Sequence, residues 1–288
     1  MAGKTIAHLH PEVAAANRAS WPVTHDHQLR YMNLWPLAFD PGSTYSYSNW
    51  GYWLLGRVVE VATCRRYDAV VESLLLRPLG MVNTRIGRSR KVDRGVDEAP
   101  VFVVEWPTGS GDTQSLSQSY DDGSGYTGND YAEYEAYAER NLPAEDATGG
   151  WLSTAFDLAL YMREVFHDRS LMAADKYDEM LSPLVPTEAE ADESTYCGYA
   201  WNNGRTDRKG CHWKTGHTVG GRAYVFNEGE KVRWDQRSLV YAFNRTPSSD
   251  DDALDDSQES QLRDDLVTAL HALAKPAAGP DLFTTLVP

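Results

Sequence analysis

The hydrophobic pattern changes period partway along the chain. Apolar residues recur at Tyr52, Leu55, Val58 or Val59 and Ala62, the three-to-four spacing of a helix. Ser48 and Asn49 just before them can cap that helix by accepting its orphan N–H groups, and Pro41-Gly42 signals a turn upstream. A second helix is predicted over 67–76, ending near Pro78, and a short one over 7–19. Ser153 or Thr154 caps a further helix running to about Phe166, with Asp157 in its first turn. From Tyr196 onward the period falls to two. Residues 196–202, 211–215, 222–227 and 238–244 are β-rich runs separated by Gly, Asn and Asp turns. Such a meander predicts an antiparallel sheet with a helix-covered face. The helix predicted over 258–274 carries Leu262, Leu266, Leu270 and Leu273 along one side and suits that role. The fold class is therefore mixed α+β.

Residues 85–146 break both periods. Gly, Ser, Asp and Tyr dominate 108–131, which predicts a long excursion with a short helix at 130–140. Tyr120, Tyr126, Tyr131, Tyr134 and Tyr137 could line an acyl or peptide site there, or serve as solvent-tolerant packing. The organisation expected is a segment 1–38 of unclear role, a helical and loop-rich part 39–195, and a sheet part 196–288. Together they make one domain.

A chain of 288 residues with 42% hydrophobic and 11% aromatic content is long enough to bury a sizeable core. Its formal charge of −15 argues against nucleic acid or an anionic membrane as partner. Five Asp fall within 248–256, and without the Gly and terminal Glu of a calcium loop they read as a solvated loop. Cys64, Cys197 and Cys211 form no close pair, so no disulfide framework is expected. No apolar run approaches the roughly 18 residues of a membrane span, and the N-terminus has no signal-peptide core. As written the chain reads as unexported, with its compartment undetermined. His25-Asp26-His27, His8 and His10 read as polar loop residues; no metal and no organic cofactor is implied.

Candidate chemistry sits in two stretches. Tyr47 and Asn49, two residues apart at a predicted helix N-terminus, can face one cleft and use the positive end of the helix dipole. An ordinary capped helix accounts for the same residues. The run from Pro41 to Thr63, with Tyr47-Ser48-Asn49 and the later turn Pro78-Leu79-Gly80-Met81, resembles the second motif region of the serine β-lactamase-like families. These include class C β-lactamases, D-alanyl-D-alanine carboxypeptidases and esterases of the same fold. Residues 147–159, with Gly149-Gly150 and Ser153-Thr154 ahead of Asp157-Leu158, resemble an architectural element of those families.

The second stretch is Lys214-Thr215-Gly216-His217-Thr218, continuing to Ala223-Tyr224-Val225. It resembles the Lys-Thr-Gly strand of class C β-lactamases, with His217 in place of a usual Ser and Val219 in place of a usual Gly. A Lys at a strand edge supplies a fixed positive charge for a substrate carboxylate and favours the ionised form of a nearby tyrosine. A small Thr-Gly pair lets a substrate chain lie against the strand. The resemblance implies a β-lactamase/transpeptidase-like fold and acyl transfer on a β-lactam, a D-alanyl peptide or an ester. Tyr47 would be general base or proton shuttle, Asn49 would bind the substrate amide, and Lys214 its carboxylate. Thr215, Gly216, His217 and Thr218 would line the substrate.

One part of the pattern is missing. The family's nucleophile is a Ser with a Lys three residues later, and none of the seven lysines here has a Ser at that spacing. The resemblance covers about residues 36–275 and leaves the nucleophile unknown. Three readings follow: a fragment of a serine hydrolase, a pseudoenzyme that keeps the cleft, or a hydrolase with an unusual route through Tyr47, Lys214, His217 or a Ser from another chain. Loss of a nucleophile helix would bare apolar surface, so residues 1–38, a second copy or a partner chain is expected to cover it.

Overall fold

Alternation along three long strands sets the core. In the computed structural model the described residues are 10–19, 23–41, 43, 46–88, 93, 95–98, 102–104, 142–182, 185–186, 195–204, 211–218, 221–227, 237–243, 245–247, 261, 265, 266, 268 and 269. Among them, strands β4 (Val185–Pro186), β5 (Thr195–Cys197), β6 (Asn202–Gly204), β7 (His212–Thr218), β8 (Gly221–Asn227) and β9 (Ser238–Phe243) form one sheet in that order, antiparallel throughout. Trp213 lies opposite Phe226, Phe226 opposite Leu239, and Tyr224 opposite Tyr241. Directly opposed residues share a face. That face buries Cys211, Tyr224, Phe226 and Tyr241, and Leu266 of the C-terminal stretch packs on it. Gln261, Asp265, Leu266, Thr268 and Ala269, within the predicted C-terminal helix, have helical backbone.

Val225 and Val240 point the other way. They pack against Met162, Val165, Phe166 and Trp201, most of which come from helix α5 (Ala155–Arg163) and the π-helical turn Glu164–Asp168 that extends it. Among the described residues, each sheet face therefore carries side chains from elsewhere in the chain.

Helices α1 (His10–Asn17) and α2 (His25–Met32) close a small cluster around Val13 and Val23. Helix α3 (Asn49–Thr63) follows, then α4 (Tyr67–Val71), which passes through a π-helical turn (Glu72–Leu76) to a last turn at Arg77–Leu79. Gly80 takes a φ of 70° there, the left-handed conformation that ends a helix at least cost to glycine. Helix α6 (Ala174–Leu181) packs beyond α5.

Several expectations change. His25-Asp26-His27 is not a loop but the first turn of α2. Thr24 caps it by accepting from His27 N–H, and His27 Nδ1 accepts from Thr24 N–H in return. Histidine thus closes a capping box where Glu or Gln is usual. His10, also read as loop, opens α1. The run 196–202 is two strands, because Gly198 N–H bonds back to Trp201 C=O and folds the chain into a hairpin. β7 runs to Thr218, past the predicted end. Two short pairings had no clear signal: β1 (Arg85–Ile86) with β3 (Trp151–Leu152), and β2 (Phe102–Val104) parallel with β10 (Arg245–Pro247). The helix expected at 130–140, the tyrosines 120–137, His8 and the acidic run 248–256 lie outside the described residues.

Two buried carboxylates lock these pieces. Asp157, fully buried, accepts from Asn83 N–H at 2.9 Å and Thr84 O–H at 2.7 Å, which ties the turn after α4 to the start of α5. Glu164 accepts from Ser170 N–H and O–H, Leu171 N–H and Tyr177 O–H, stitching the end of α5 to α6. Burial pushes the Glu164 carboxyl up, yet those donors outweigh it and hold it below its usual 4.5. A depressed folded value means stability present above about pH 4.5 and lost as pH falls below it. Glu164→Ala, which strands these donors, is expected to cost about 3 kcal/mol in urea unfolding at pH 7, and less below pH 4. A cost independent of pH would contradict this assignment.

Candidate functional site

Ser48 opens α3 in an extended conformation, and its Oγ accepts from Gly51 N–H at 3.0 Å. The cap leaves Tyr47 just outside the helix and Asn49 as its first residue, at the positive end of the dipole. Tyr47 is 53% exposed, and its O–H donates to Asn49 Oδ1 at 2.9 Å. That bond occupies the carbonyl end of the Asn49 amide and leaves its NH2 end to donate elsewhere.

Lys214 approaches from the sheet. It lies opposite Val225 and so projects on the α5 side, where its Nζ stands 5.5 Å from the centroid of the Tyr47 ring. At that range an ammonium is attracted to the ring face. Tyr47 and Lys214, 167 positions apart in the sequence, thus meet in space together with Asn49. Gly216 alternates onto the same face as Lys214, opposite Ala223. Thr215 is exposed and lies opposite Tyr224, on the face of the C-terminal helix. His217 and Thr218 continue the strand backbone.

The strand edge matters as much as the side chains. β6 pairs with β7 only at Asn202–Trp213 and Asn203–His212. Among the described residues, the stretch from Lys214 to Thr218 is therefore laddered on one side, by β8. A Cβ added to Gly216 would meet nothing nearer than Ala223 O at 3.9 Å. Packing within the chain does not demand a glycine there; its smallness keeps the face beside Lys214 low.

What holds α3 in place lay beyond the sequence reading. Its inner face docks on the segment 142–150 at successive turns. Trp53, wholly buried, donates its indole N–H to Ala144 C=O at 2.9 Å. Gly56 lies so close to Ala147 that a Cβ would come within 2.3 Å of that side chain. Arg57 Nη2 donates to both carboxylate oxygens of Asp146, at 2.7 Å each, and the guanidinium lies over the Trp53 ring. His25 of α2 completes the cluster, its Nδ1 accepting from Arg57 and its ring edge-on to Trp53. The spacing of Trp53, Gly56, Arg57 and Glu60 along one side was the available signal: a charge pair on an otherwise apolar helix.

Burial, then the adjacent guanidinium, lowers the His25 pKa from its usual 6.5, against the pull of Asp146. The unfolded chain therefore binds more protons between the lowered value and 6.5, so stability falls as pH drops through that window. His25→Gln is expected to shrink this loss in melts compared at pH 7.5 and 5.5. An unchanged difference would contradict it. Among the described residues no group of three His, Cys, Asp or Glu is arranged to hold a metal, and no helix is long and apolar enough to cross a membrane.

The sheet with its Lys214 edge, the helix opening on Tyr47 and Asn49, and α5 packed on the sheet define a penicillin-binding-protein-like fold. An octameric penicillin-binding protein homologue from Pyrococcus abyssi superposes with a TM-score of 0.55 at 19% identity, over 83% of this chain and 48% of its own. A D-amino acid amidase from Ochrobactrum anthropi SV3, solved with D-phenylalanine, gives 0.55 at 18% identity, over 79% of this chain and 59% of its own. A putative D-alanyl-D-alanine carboxypeptidase of Escherichia coli K12 is 45% identical over 49 residues, 17% of this chain and 11% of its own. The chain thus spans about half the length of the solved proteins it resembles and a small part of that carboxypeptidase. The beta-lactamase family matches residues 6–263, and the chain belongs to it. That family's fold serves hydrolases, with amidases and carboxypeptidases among them.

Proposed function

We propose that Tyr47, Asn49 and Lys214 line a cleft for acyl transfer on a β-lactam, a D-alanyl peptide or an ester. Lys214 binds the carboxylate of a β-lactam or D-alanyl peptide, the Asn49 amide holds its amide, and Tyr47 moves the proton as general base or shuttle. The substrate backbone runs along the β7 edge at Thr215, Gly216, His217 and Thr218, as an added strand would. One observation supports this above others: the Lys214 ammonium stands over the ring of a tyrosine that is itself hydrogen-bonded to Asn49.

The chemistry still needs a nucleophile. No Ser stands three residues before any lysine, which favours a second reading in which this chain binds substrate without turning it over. The octameric relative supports self-association of this chain as well.

Intact mass after incubation with a fluorescent penicillin, and separately with a p-nitrophenyl ester, separates the two readings. A covalent adduct means acyl transfer, and peptide mapping names the nucleophile. Absence of an adduct with calorimetric binding of N-acetyl-D-alanyl-D-alanine means a binding module. In either case Lys214→Ala is expected to weaken binding of that peptide about tenfold to a hundredfold, the worth of a charge-assisted contact. An unchanged affinity, or neither adduct nor binding in the parent chain, overturns the proposal.

A further inference from the structure

Helix α3 turns its two charged side chains, Arg57 and Glu60, inward beside Trp53, and two other elements meet the guanidinium there. Arg57 Nη2 donates to Asp146 of the segment 142–150, and Nη1 donates to His25 Nδ1 of α2. An arginine offers no acceptor and keeps its charge. Nδ1 is therefore the bare ring nitrogen and the imidazole is neutral, with its proton on Nε2. Nε2 is shut off from solvent and stands 3.7 Å from Asp146 Oδ1, beyond hydrogen-bond reach. Glu60 of α3 and the Ala144 carbonyl also face the ring. Behind Glu60 lies Tyr67 of α4, whose N–H bonds Glu60 Oε1 and whose phenol is kept protonated by burial.

Packed rings join this cluster to the start of α3. His25 stands edge-on to Trp53 at 5.5 Å, and Trp53 lies nearly parallel to Trp50 at 4.5 Å. Trp50 directly follows Asn49. Arg57 itself is eight residues beyond Asn49, about 12 Å along the same helix.

We infer that His25 is a positioning residue for the proposed cleft: neutral, it holds Arg57 and with it the start of α3, so that Tyr47 and Asn49 meet Lys214; protonated, it lets go. The inference rests on the reading of Tyr47, Asn49 and Lys214 as one binding site. A proton taken from solvent onto Nδ1 replaces the acceptor with a second N–H aimed at the guanidinium. Two cations are then in contact, and the bond between α2 and α3 is lost. The imidazolium is drawn instead to Asp146, where it competes with Arg57 for one carboxylate, and Arg57 is left with Glu60 at 3.4 Å. Burial, then Arg57, disfavours this protonation, while Asp146, Glu60 and the Ala144 carbonyl favour it. The balance puts the change below the usual 6.5. The start of α3 is therefore held at neutral pH and loosened by acid. A merely structural histidine would alter stability alone, whereas this one makes ligand affinity follow the same proton.

Hydrogen exchange of the full chain at pH 7.5 and 5.5, corrected for the intrinsic rate, tests the hold without any ligand. Protection of the α3 amides is expected to fall severalfold in acid in the parent chain. It is expected to stay constant in His25→Asn, whose Oδ1 offers Arg57 an acceptor that does not titrate. A His25→Gln variant, read the same way, guards against an effect of the Asn side chain on α2. Calorimetric binding of N-acetyl-D-alanyl-D-alanine then tests the coupling. The parent is expected to lose about threefold to tenfold in affinity between the two pH values, and His25→Asn less than about twofold. The difference between the two chains separates His25 from His217 and the other histidines. Protection that ignores pH in the parent, or falls equally in both variants, overturns the hold. Protection that changes as expected, with affinity equally pH-dependent in parent and variant, overturns its coupling to the cleft. Absence of binding at both pH values overturns the reading of the site and the positioning role with it, while exchange still decides the hold.

Discussion

Arg57 and Asp146 lie 89 residues apart in sequence, yet they share two 2.7 Å bonds with side chains about one-tenth exposed. A buried ion pair is poor evidence of net stability, because desolvation offsets most of the attraction. As a constraint on position it is strong. Sliding α3 by one turn would leave two charges buried without partners, at a cost of several kcal/mol. Trp53 and Gly56 act on the same turns of helix, one through its indole bond to Ala144 and the other through close approach to Ala147. Together they fix where α3 begins, and so where Tyr47 and Asn49 stand.

The sheet side of the proposed cleft is fixed independently. The pairing of Trp213 with Phe226 and of Lys214 with Val225 sets which residues face α5. A slip of one residue would send Lys214 to the face of the C-terminal helix. Asp157 connects the two halves, since the turn it holds follows α4 and the helix it opens packs on the sheet. The proposed cleft is thus the meeting of two separately anchored elements, and the 5.5 Å between Lys214 and Tyr47 depends on both.

Much of this was legible in sequence, where local chemistry decides the outcome. Ser48 and Thr154 cap the helices expected of them, Gly80 ends the turn after Leu79, and the period-two runs from Tyr196 onward became strands. What failed was decided by residues far apart or by a rare local solution. A histidine closing the box at Thr24 turned an expected polar loop into a helix start. Gly198 split one apparent strand into a hairpin. The β2–β10 pairing and the Arg57–Asp146 pair join segments whose spacing carries no period. At the cleft, the sequence named Tyr47, Asn49 and Lys214 through resemblance, and their proximity could not be read from any local pattern. The inverted polarity of α3 was visible as an apolar helix with charges on one side, but which side faced inward depended on Asp146.

The most direct test of the account is a double-mutant cycle on Tyr47→Ala and Lys214→Ala, read by calorimetric binding of N-acetyl-D-alanyl-D-alanine. If the two side chains act on one ligand in one cleft, the losses are non-additive, with a coupling of about 1 kcal/mol or more. Losses that add to within about 0.3 kcal/mol would mean that Tyr47 and Lys214 act apart, and the cleft described here would not be a single site.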